Sequence, residues 1–323
     1  MIKLAKEHTM SAIEMRAAYV DALIRLAEQD ERVVTIDCDL ASSMGTVPFA
    51  RKFPARSFNV GIQEANACSM AAGMSAVGFI PFFHSFAIFS SRRICDQIFQ
   101  SCAYAGLNVK IIGGDAGISA MYNGGTHMAF EDVGVLRSIP AITIVEPSDP
   151  LMMAQLTPQI KDLYGTCYMR TPRKQTPVIY DEGSDFRLGK AAVLREGADL
   201  TIIASGMLVY EALVAADRLA AEGIGARVVD MFTIKPIDVD CIVDSVQKTG
   251  AVVTAENHNI IGGLGSAVAE VLGEYAPAPF ARVGVADLFG EVGDKDYLAK
   301  RFQLTADDIC EKARQVCRRK AGR

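Results

Sequence analysis

Apolar and polar positions alternate in blocks along this chain, and the blocks read in turn as helices and strands. Residues 9–27 place Ala12, Met15, Ala18, Tyr19, Ala22, Leu23 and Leu26 on one helical face, with Thr9 or Ser11 as cap and Glu14 closing a capping box. Val33-Val34-Thr35-Ile36 is a buried-type strand that runs out into polar Asp37, Asp39, Ser42 and Ser43. Polar residues past the C-terminal end of a parallel strand lie where open α/β sheets place ligands. A short strand precedes Gly61, and a helix follows from Glu64 to about Ala76. The pattern then predicts a strand over 79–83 with a Phe-rich loop after it, a helix over 91–106, a strand over 109–113 and a long Gly-rich loop over 113–125. A short helix over 131–138, a strand over 141–145 and a helix opening at Pro147-Ser148-Asp149-Pro150 complete this half.

Residues 170–186 carry prolines, mixed charges and no period, and read as a linker. Alternation restarts beyond it. Strands are expected over 200–204, 226–231, 251–255 and 281–285, and helices over 209–222, 238–249 and 265–275, with Thr305 and Asp308 capping a last helix. The fold class is therefore α/β, in two domains with mostly parallel sheets: residues 1–172, a linker over 173–187, and residues 188–323.

Composition changes this picture little. The net charge of −5 over 323 residues gives no general pull toward nucleic acid or an anionic membrane surface. Arg318, Arg319, Lys320 and Arg323 read as a solvated tail. The eight cysteines include no C-x-x-C pair and sit mostly in apolar runs, as buried thiols do in a reducing compartment, without a disulfide frame or a zinc site. With no leader-like segment and no apolar run of ~18 residues or more, a cytoplasmic location is expected.

Several loops hold chemistry-bearing residues. Glu64 stands in the first turn of its helix among apolar neighbours, as either a satisfied cap or a tuned acid. Phe86 and Phe89 can stack on a flat heterocycle or simply fill the core. Gly113-Gly-Asp-Ala-Gly117 lacks the residues of a P-loop and the spacing of a dinucleotide fingerprint. The loop ends in Asn123-Gly-Gly-Thr-His127, where glycines could hold an imidazole over a site. The turn from Glu256 to Ser266 could bind an anion, but reads better as close backbone packing at an interface.

Together these segments resemble the C-terminal half of transketolases. The resemblance is carried by Gly61-Ile-Gln-Glu-Ala-Asn66, Ser85-Phe-Ala-Ile-Phe89, Arg92-Arg-Ile-Cys-Asp-Gln97, Gly124-Gly-Thr-His127, Glu131-Asp132, Leu136-Arg-Ser-Ile-Pro140, Glu146-Pro-Ser-Asp149 and the stretch from Glu256 to Ser266. These occur in the family's order and cover nearly the whole chain. The resemblance implies a pyrimidine-binding domain, a transketolase C-terminal domain and thiamine diphosphate as cofactor. It implies that Glu64 shares a proton with the aminopyrimidine ring and that Phe86 and Phe89 flank that ring, with Asp39 and Arg92 nearby. It also implies that His127 contacts the donor sugar and its intermediate, and that Asn123, Arg16, Ser43 and Arg170 bind the sugar phosphate substrate.

Three positions depart from the family pattern. Gly114 falls where a phosphate-site histidine is usual, Asn123 where an aspartate reads a donor hydroxyl, and Arg92 where an aromatic residue flanks the pyrimidine. The Gly-Asp-Gly motif with its later Asn, which holds the diphosphate and a divalent metal such as Mg, is absent from this sequence. The expectation is a β subunit of a split transketolase, active only with an N-terminal subunit that supplies the metal, in an α2β2 assembly, with no metal ligand of its own. It would transfer a two-carbon ketol unit from a ketose phosphate to an aldose. The β subunit of a 2-oxoacid dehydrogenase, a deoxyxylulose-phosphate synthase type enzyme and a non-catalytic partner that keeps the fold are the alternatives.

Overall fold

The apolar runs become strands buried on both faces, which is what a parallel sheet covered by helices requires. The computed structural model describes residues 2–322. Its strands are β1 (Val33–Asp37), β2 (Ser57–Asn59), β3 (Ile80–Phe86), β4 (Lys110–Gly114), β5 (Thr143–Val145), β6 (Cys167–Thr171), β7 (Ala192–Arg195), β8 (Leu200–Ala204), β9 (Ala226–Asp230), β10 (Thr233–Lys235), β11 (Val252–Asn259) and β12 (Phe280–Val285). The helices that matter below are α1 (Met15–Gln29), α2 (Glu64–Ala76), α3 (Asp132–Arg137), α4 (Pro150–Asp162), α5 (Leu208–Ala221), α6 (Leu264–Glu274) and α7 (Ala306–Ala321).

Two sheets organise the chain. The first has the order β10-β5-β6-β4-β3-β1-β2 and is parallel except for β10, which pairs antiparallel with β5. The second has the order β12-β11-β8-β9-β7 and is parallel except for β7 against β9. Strand β10 thus leaves the C-terminal half to extend the sheet of the N-terminal half, and ties the two together through the backbone.

Several elements depart from the sequence pattern. Helix α1 starts at Met15, not near residue 9, because the residues before it are used elsewhere. Leu4 pairs with Tyr180, Met10 with Pro177, and the Ser11 N–H donates to Thr176 O at 3.0 Å. The Ser11 hydroxyl bonds Ile13 O and caps nothing. The segment read as a free linker is therefore pinned to the N-terminal residues. The expected helix over 91–106 is composite: a 3₁₀ turn (Arg92–Ile94), a short α turn (Cys95–Gln97) and a π-helical stretch (Ile98–Tyr104).

The basic C-terminal residues belong to α7 and are not a solvated tail. Lys320 Nζ donates to Thr249 O at 2.8 Å and Asp199 O at 3.0 Å, and Arg319 Nη1 donates to Phe280 O at 2.9 Å. Arg323 lies outside the described residues. The Thr305–Asp308 capping box forms as read. No described helix is long and apolar enough to cross a membrane.

Candidate active site

Glu64 is set by a turn at the C-terminal ends of β1 and β2. Asn59 Oδ1 accepts from the N–H groups of Asp39 (3.0 Å) and Gly61 (3.1 Å), and Asn59 Nδ2 donates to Asp39 Oδ1 at 3.3 Å. Gly61 sits at φ 78°, a left-handed conformation that a side chain would strain. Gln63 then occupies the N-cap position, so Glu64 is the first helical residue and turns inward. Its carboxylate is almost fully buried. Ser85 Oγ donates to Oε1 at 3.3 Å, and Arg93 Nη1 donates to Oε2 at 3.1 Å. Among the described residues no backbone N–H bonds this carboxylate, so it is not the cap of its own helix. Burial, then the Glu64 charge, pushes the neighbouring Cys38 thiol up to about 12.

Three rings pack together and are joined to Glu64 through Arg93. Phe86 ends β3, and Phe89 follows in the turn that its N–H closes on Phe86 O at 2.8 Å. The His127 ring meets both edge-on, with centroids 6.0 Å from Phe86 and 5.3 Å from Phe89. Phe89 also carries the Arg93 guanidinium, whose Cζ lies 4.2 Å from the ring centroid. The His127 loop turns through Gly124 at φ 75°, and Thr126 Oγ1 lies 2.9 Å from His127 Nδ1. A cavity of about 470 Å³ opens next to this loop, lined by Arg92, Gly125, Met128, Glu131 and Phe289 among others.

The C-terminal half holds this loop from behind. Asn257 at the end of β11 accepts from Ile118 N–H and donates to Ala116 O, both at 3.0 Å. A Cβ at Gly117 would fall 2.2 Å from Asn257 Oδ1, and one at Gly125 would fall 2.2 Å from Gly290 O. Next to Asn257, Glu256 accepts from the N–H groups of Leu264 and Gly265 and so caps α6; burial pushes its carboxyl up to about 7. His258 Nε2 accepts from the Gly134 N–H at 3.2 Å, which makes Nδ1 the donor to Asn259 O at 2.7 Å. Burial lowers this imidazole to about 4. The Glu256–Ser266 turn thus serves backbone packing between the halves.

The residues expected on the sugar divide into two groups. Arg16 donates from Nη1 to Ser42 O and Ser43 O at 3.1 and 2.9 Å, and its Nε bonds Glu14. Arg173 lies with them, its Nη2 3.1 Å from Asp115 Oδ2, and Lys174 Nζ is 2.9 Å from Glu14. The Lys174 hydrogen bond lowers Glu14, whereas burial raises Asp115 against the pull of Arg173. Where a histidine is usual, Gly114 instead gives way to Met44, whose Sδ would meet a Cβ there at 2.6 Å.

Arg170 does not join this group. It is fully buried, with Nε 2.7 Å from Asp132 Oδ2, Nη1 2.5 Å from Glu146 Oε1, and Nη2 donating to Ala129 O and Asn257 O. It joins the two halves, and all three of its guanidinium nitrogens are engaged within the protein. Asn123 is exposed at the loop end, and Asp39 is exposed at the rim, tied to the Gly61 turn through Asn59. Arg92 also differs from expectation. It pairs with Glu131 at 2.7 Å, and the arginine on the Phe89 ring is Arg93. Sequence reasoning missed Ser85, Arg93, Arg173 and Asn257. Only Arg173 had a local signal, a second arginine just beyond Thr171-Pro172.

The pairing of Arg93 tests whether these residues suit an aminopyrimidine. A planar, N–H-bearing group already fits between the Phe89 face and the Glu64 carboxylate. Glu64, Phe89 and Phe86 would hold the ring. Among the described residues no cluster of three or more His, Cys, Asp or Glu is placed to hold a metal ion.

Comparison with known proteins bears on the same residues. Residues 11–178 match the transketolase pyrimidine binding domain, and residues 189–309 match the transketolase C-terminal domain. The chain is 51% identical to the 6-deoxy-6-sulfo-D-fructose transketolase subunit SqwH of Clostridium sp. (strain MSTE9), over 95% of each chain. It is 36% identical to an apulose-4-phosphate transketolase subunit of Phocaeicola vulgatus, over 93% of this chain and 96% of that one. A solved structure described as a split gene transketolase, inactive beta4 tetramer, superposes with a TM-score of 0.87 at 42% identity, over 95% of this chain and 99% of that one. The chain belongs to the transketolase family, in which it takes the place of the C-terminal subunit of a split enzyme that works with thiamine diphosphate and an N-terminal partner.

Proposed function

We propose that this chain assembles with its N-terminal partner as an α2β2 tetramer and transfers a two-carbon ketol unit from an anion-terminated ketose to an aldose. The observation that carries the reading is the buried Glu64 carboxylate, joined through Arg93 to the Phe89 ring that packs with Phe86 and His127. Thiamine diphosphate, when bound, supplies a nucleophilic carbon and accepts the electrons of the broken carbon–carbon bond. Glu64 would hold or give a proton at a ring nitrogen, with Ser85 fixing one of its oxygens for that task. Phe89 and Phe86 orient the ring and exclude water. His127, braced against both and held by Thr126 at Nδ1, would meet the donor hydroxyls through Nε2, with Asn123 and Asp39 exposed at the surface.

The partner subunit would hold the diphosphate and its divalent metal. The distal anion of the ketose would meet Arg16, Ser43 and Arg173, with Lys174 nearby. Three cations there face Glu14 and Asp115. That leaves a small positive excess, suited to a phosphate or a sulfonate end group. The name of the Clostridium relative favours the sulfonate, 6-deoxy-6-sulfo-D-fructose, and the proposal includes a cytoplasmic location.

The test is to co-express the chain with its partner and measure ketol transfer with thiamine diphosphate and Mg²⁺. The donor panel contains xylulose 5-phosphate, fructose 6-phosphate and 6-deoxy-6-sulfo-D-fructose. Transfer from at least one donor by the pair, and none by this chain alone, is expected. Full activity of the chain alone would refute the split assembly, and no transfer from any donor would refute the anion-terminated class.

A further inference from the structure

Arg93 makes the two contacts that a pyrimidine ring needs from this chain. Its guanidinium is flat, lies over the Phe89 ring with Cζ 4.2 Å from the centroid, and donates from Nη1 to Glu64 Oε2 at 3.1 Å. The other acceptor oxygen of Glu64 is taken by Ser85. A ring stacked on Phe89 and bonded to Glu64 would claim the same face and the same lone pairs, so the two arrangements exclude each other. The backbone beneath Arg93 is anchored, with Ile94 fully buried and Ser91 Oγ bonding Ala87 O at 2.6 Å. The side chain itself is 49% exposed and has open solvent to swing into.

We propose that Arg93 is an internal competitor for the pyrimidine half of the cofactor, seated on Glu64 and Phe89 until the cofactor displaces it. The inference rests on the reading of those two residues as the pyrimidine site. A buried carboxylate left alone is costly, and Arg93 satisfies it in the chain by itself. The guanidinium is half-exposed and can leave for water, while Glu64 keeps the Ser85 hydrogen bond. The pair is therefore displaceable, yet it scales apparent affinity down to the fraction of molecules in which it is open. Arg93 thus keeps this half of the site closed to free cofactor until contacts with the diphosphate and metal on the other subunit add their share. Arg92 is not interchangeable with it, because Glu131 holds Arg92 away from the ring.

The test uses the complex of this chain with its partner subunit. Thiamine diphosphate is titrated at saturating Mg²⁺ and the Kd read by calorimetry for wild type, R93M and R93Q. Removal of the competitor is expected to lower Kd by about fivefold in both variants. In an E64A background, the gain from R93M is expected to shrink, because only the Phe89 face remains contested; a general loosening of the loop would act equally in both backgrounds. An unchanged or raised Kd in both Arg93 variants overturns the proposal and leaves the pyrimidine site standing. If no form of the complex binds the cofactor, the pyrimidine-site reading falls and the proposal falls with it.

Discussion

Arg170 Nη1 lies 2.5 Å from Glu146 Oε1, with neither side chain more than marginally exposed. Asp132 and two backbone carbonyls, one from each half of the chain, complete its partners. A charge buried in this way has no water to fall back on, so removing it strands two carboxylates. The variant R170M is expected to destabilise the chain by about 3–5 kcal/mol, read as a lower urea midpoint. A phosphate-binding arginine would behave differently: stability would stay at the wild-type level and only the KM for the sugar would rise.

Glu64 carries the opposite expectation. Gln is isosteric, can still accept from Ser85, and removes only the exchangeable proton and the charge. The variant E64Q in the reconstituted complex is expected to lose about 10²–10⁴-fold in kcat with a near-native thermal midpoint. Turnover at the wild-type rate, with cofactor bound, would remove Glu64 from the chemistry.

The strands that the sequence showed plainly are buried on both faces and mostly apolar, such as Val33–Asp37 and Leu200–Ala204. Cys167–Thr171 is equally buried but contains Arg170, whose compensating charges lie 24 and 38 residues away in sequence. A local pattern carries no trace of such distant partners, so the linker reads as starting at Arg170, inside the strand. Thr233–Lys235 was hidden for a related reason, since its partner strand lies in the other half. In the site, Glu64 was visible because an acid among apolar residues at a helix start is locally odd. The choice between Arg92 and Arg93 was not visible, because adjacent residues on a 3₁₀ turn point in different directions and only the fold settles which one covers the ring. Arg173 was masked by Arg170, which fell at the position suggested by the family pattern.

The His127 loop depends on a close approach between the halves. A Cβ on Gly125 would meet the Gly290 carbonyl oxygen at 2.2 Å, so one backbone must shift at a point two residues from His127. The variant G125A is expected to fold and to bind thiamine diphosphate with unchanged Kd, because Glu64 and Phe89 lie on other elements. Its kcat is expected to fall by about 10- to 100-fold, the effect of misplacing a reacting group by about 1 Å. A proportional loss of cofactor affinity would show that the loop also shapes the pyrimidine site.

Asp230 gives a pH signature to the junction of the two halves. It ends β9 and accepts from Ser148 of the first half and, at 2.5 Å, from the Tyr180 hydroxyl of the connecting segment. Burial raises its carboxyl from 3.8 to about 7, with the charges of Asp149 and Glu146 adding to the rise against the two hydrogen bonds. Between those values the folded chain holds a proton that the unfolded chain has released. The folded state's advantage from this group is therefore complete below 3.8 and is lost as pH rises through about 7. Asn at this position cannot titrate. The urea-derived stability of D230N is expected to fall less steeply between pH 4.5 and 7 than that of the wild type, by up to about 1.4 kcal/mol per pH unit. Above pH 7.5 the two curves are expected to run parallel, because Asp230 has by then lost its proton in both states of the wild type. Identical slopes below pH 7 would mean that Asp230 is ionised throughout, held so by Ser148 and Tyr180.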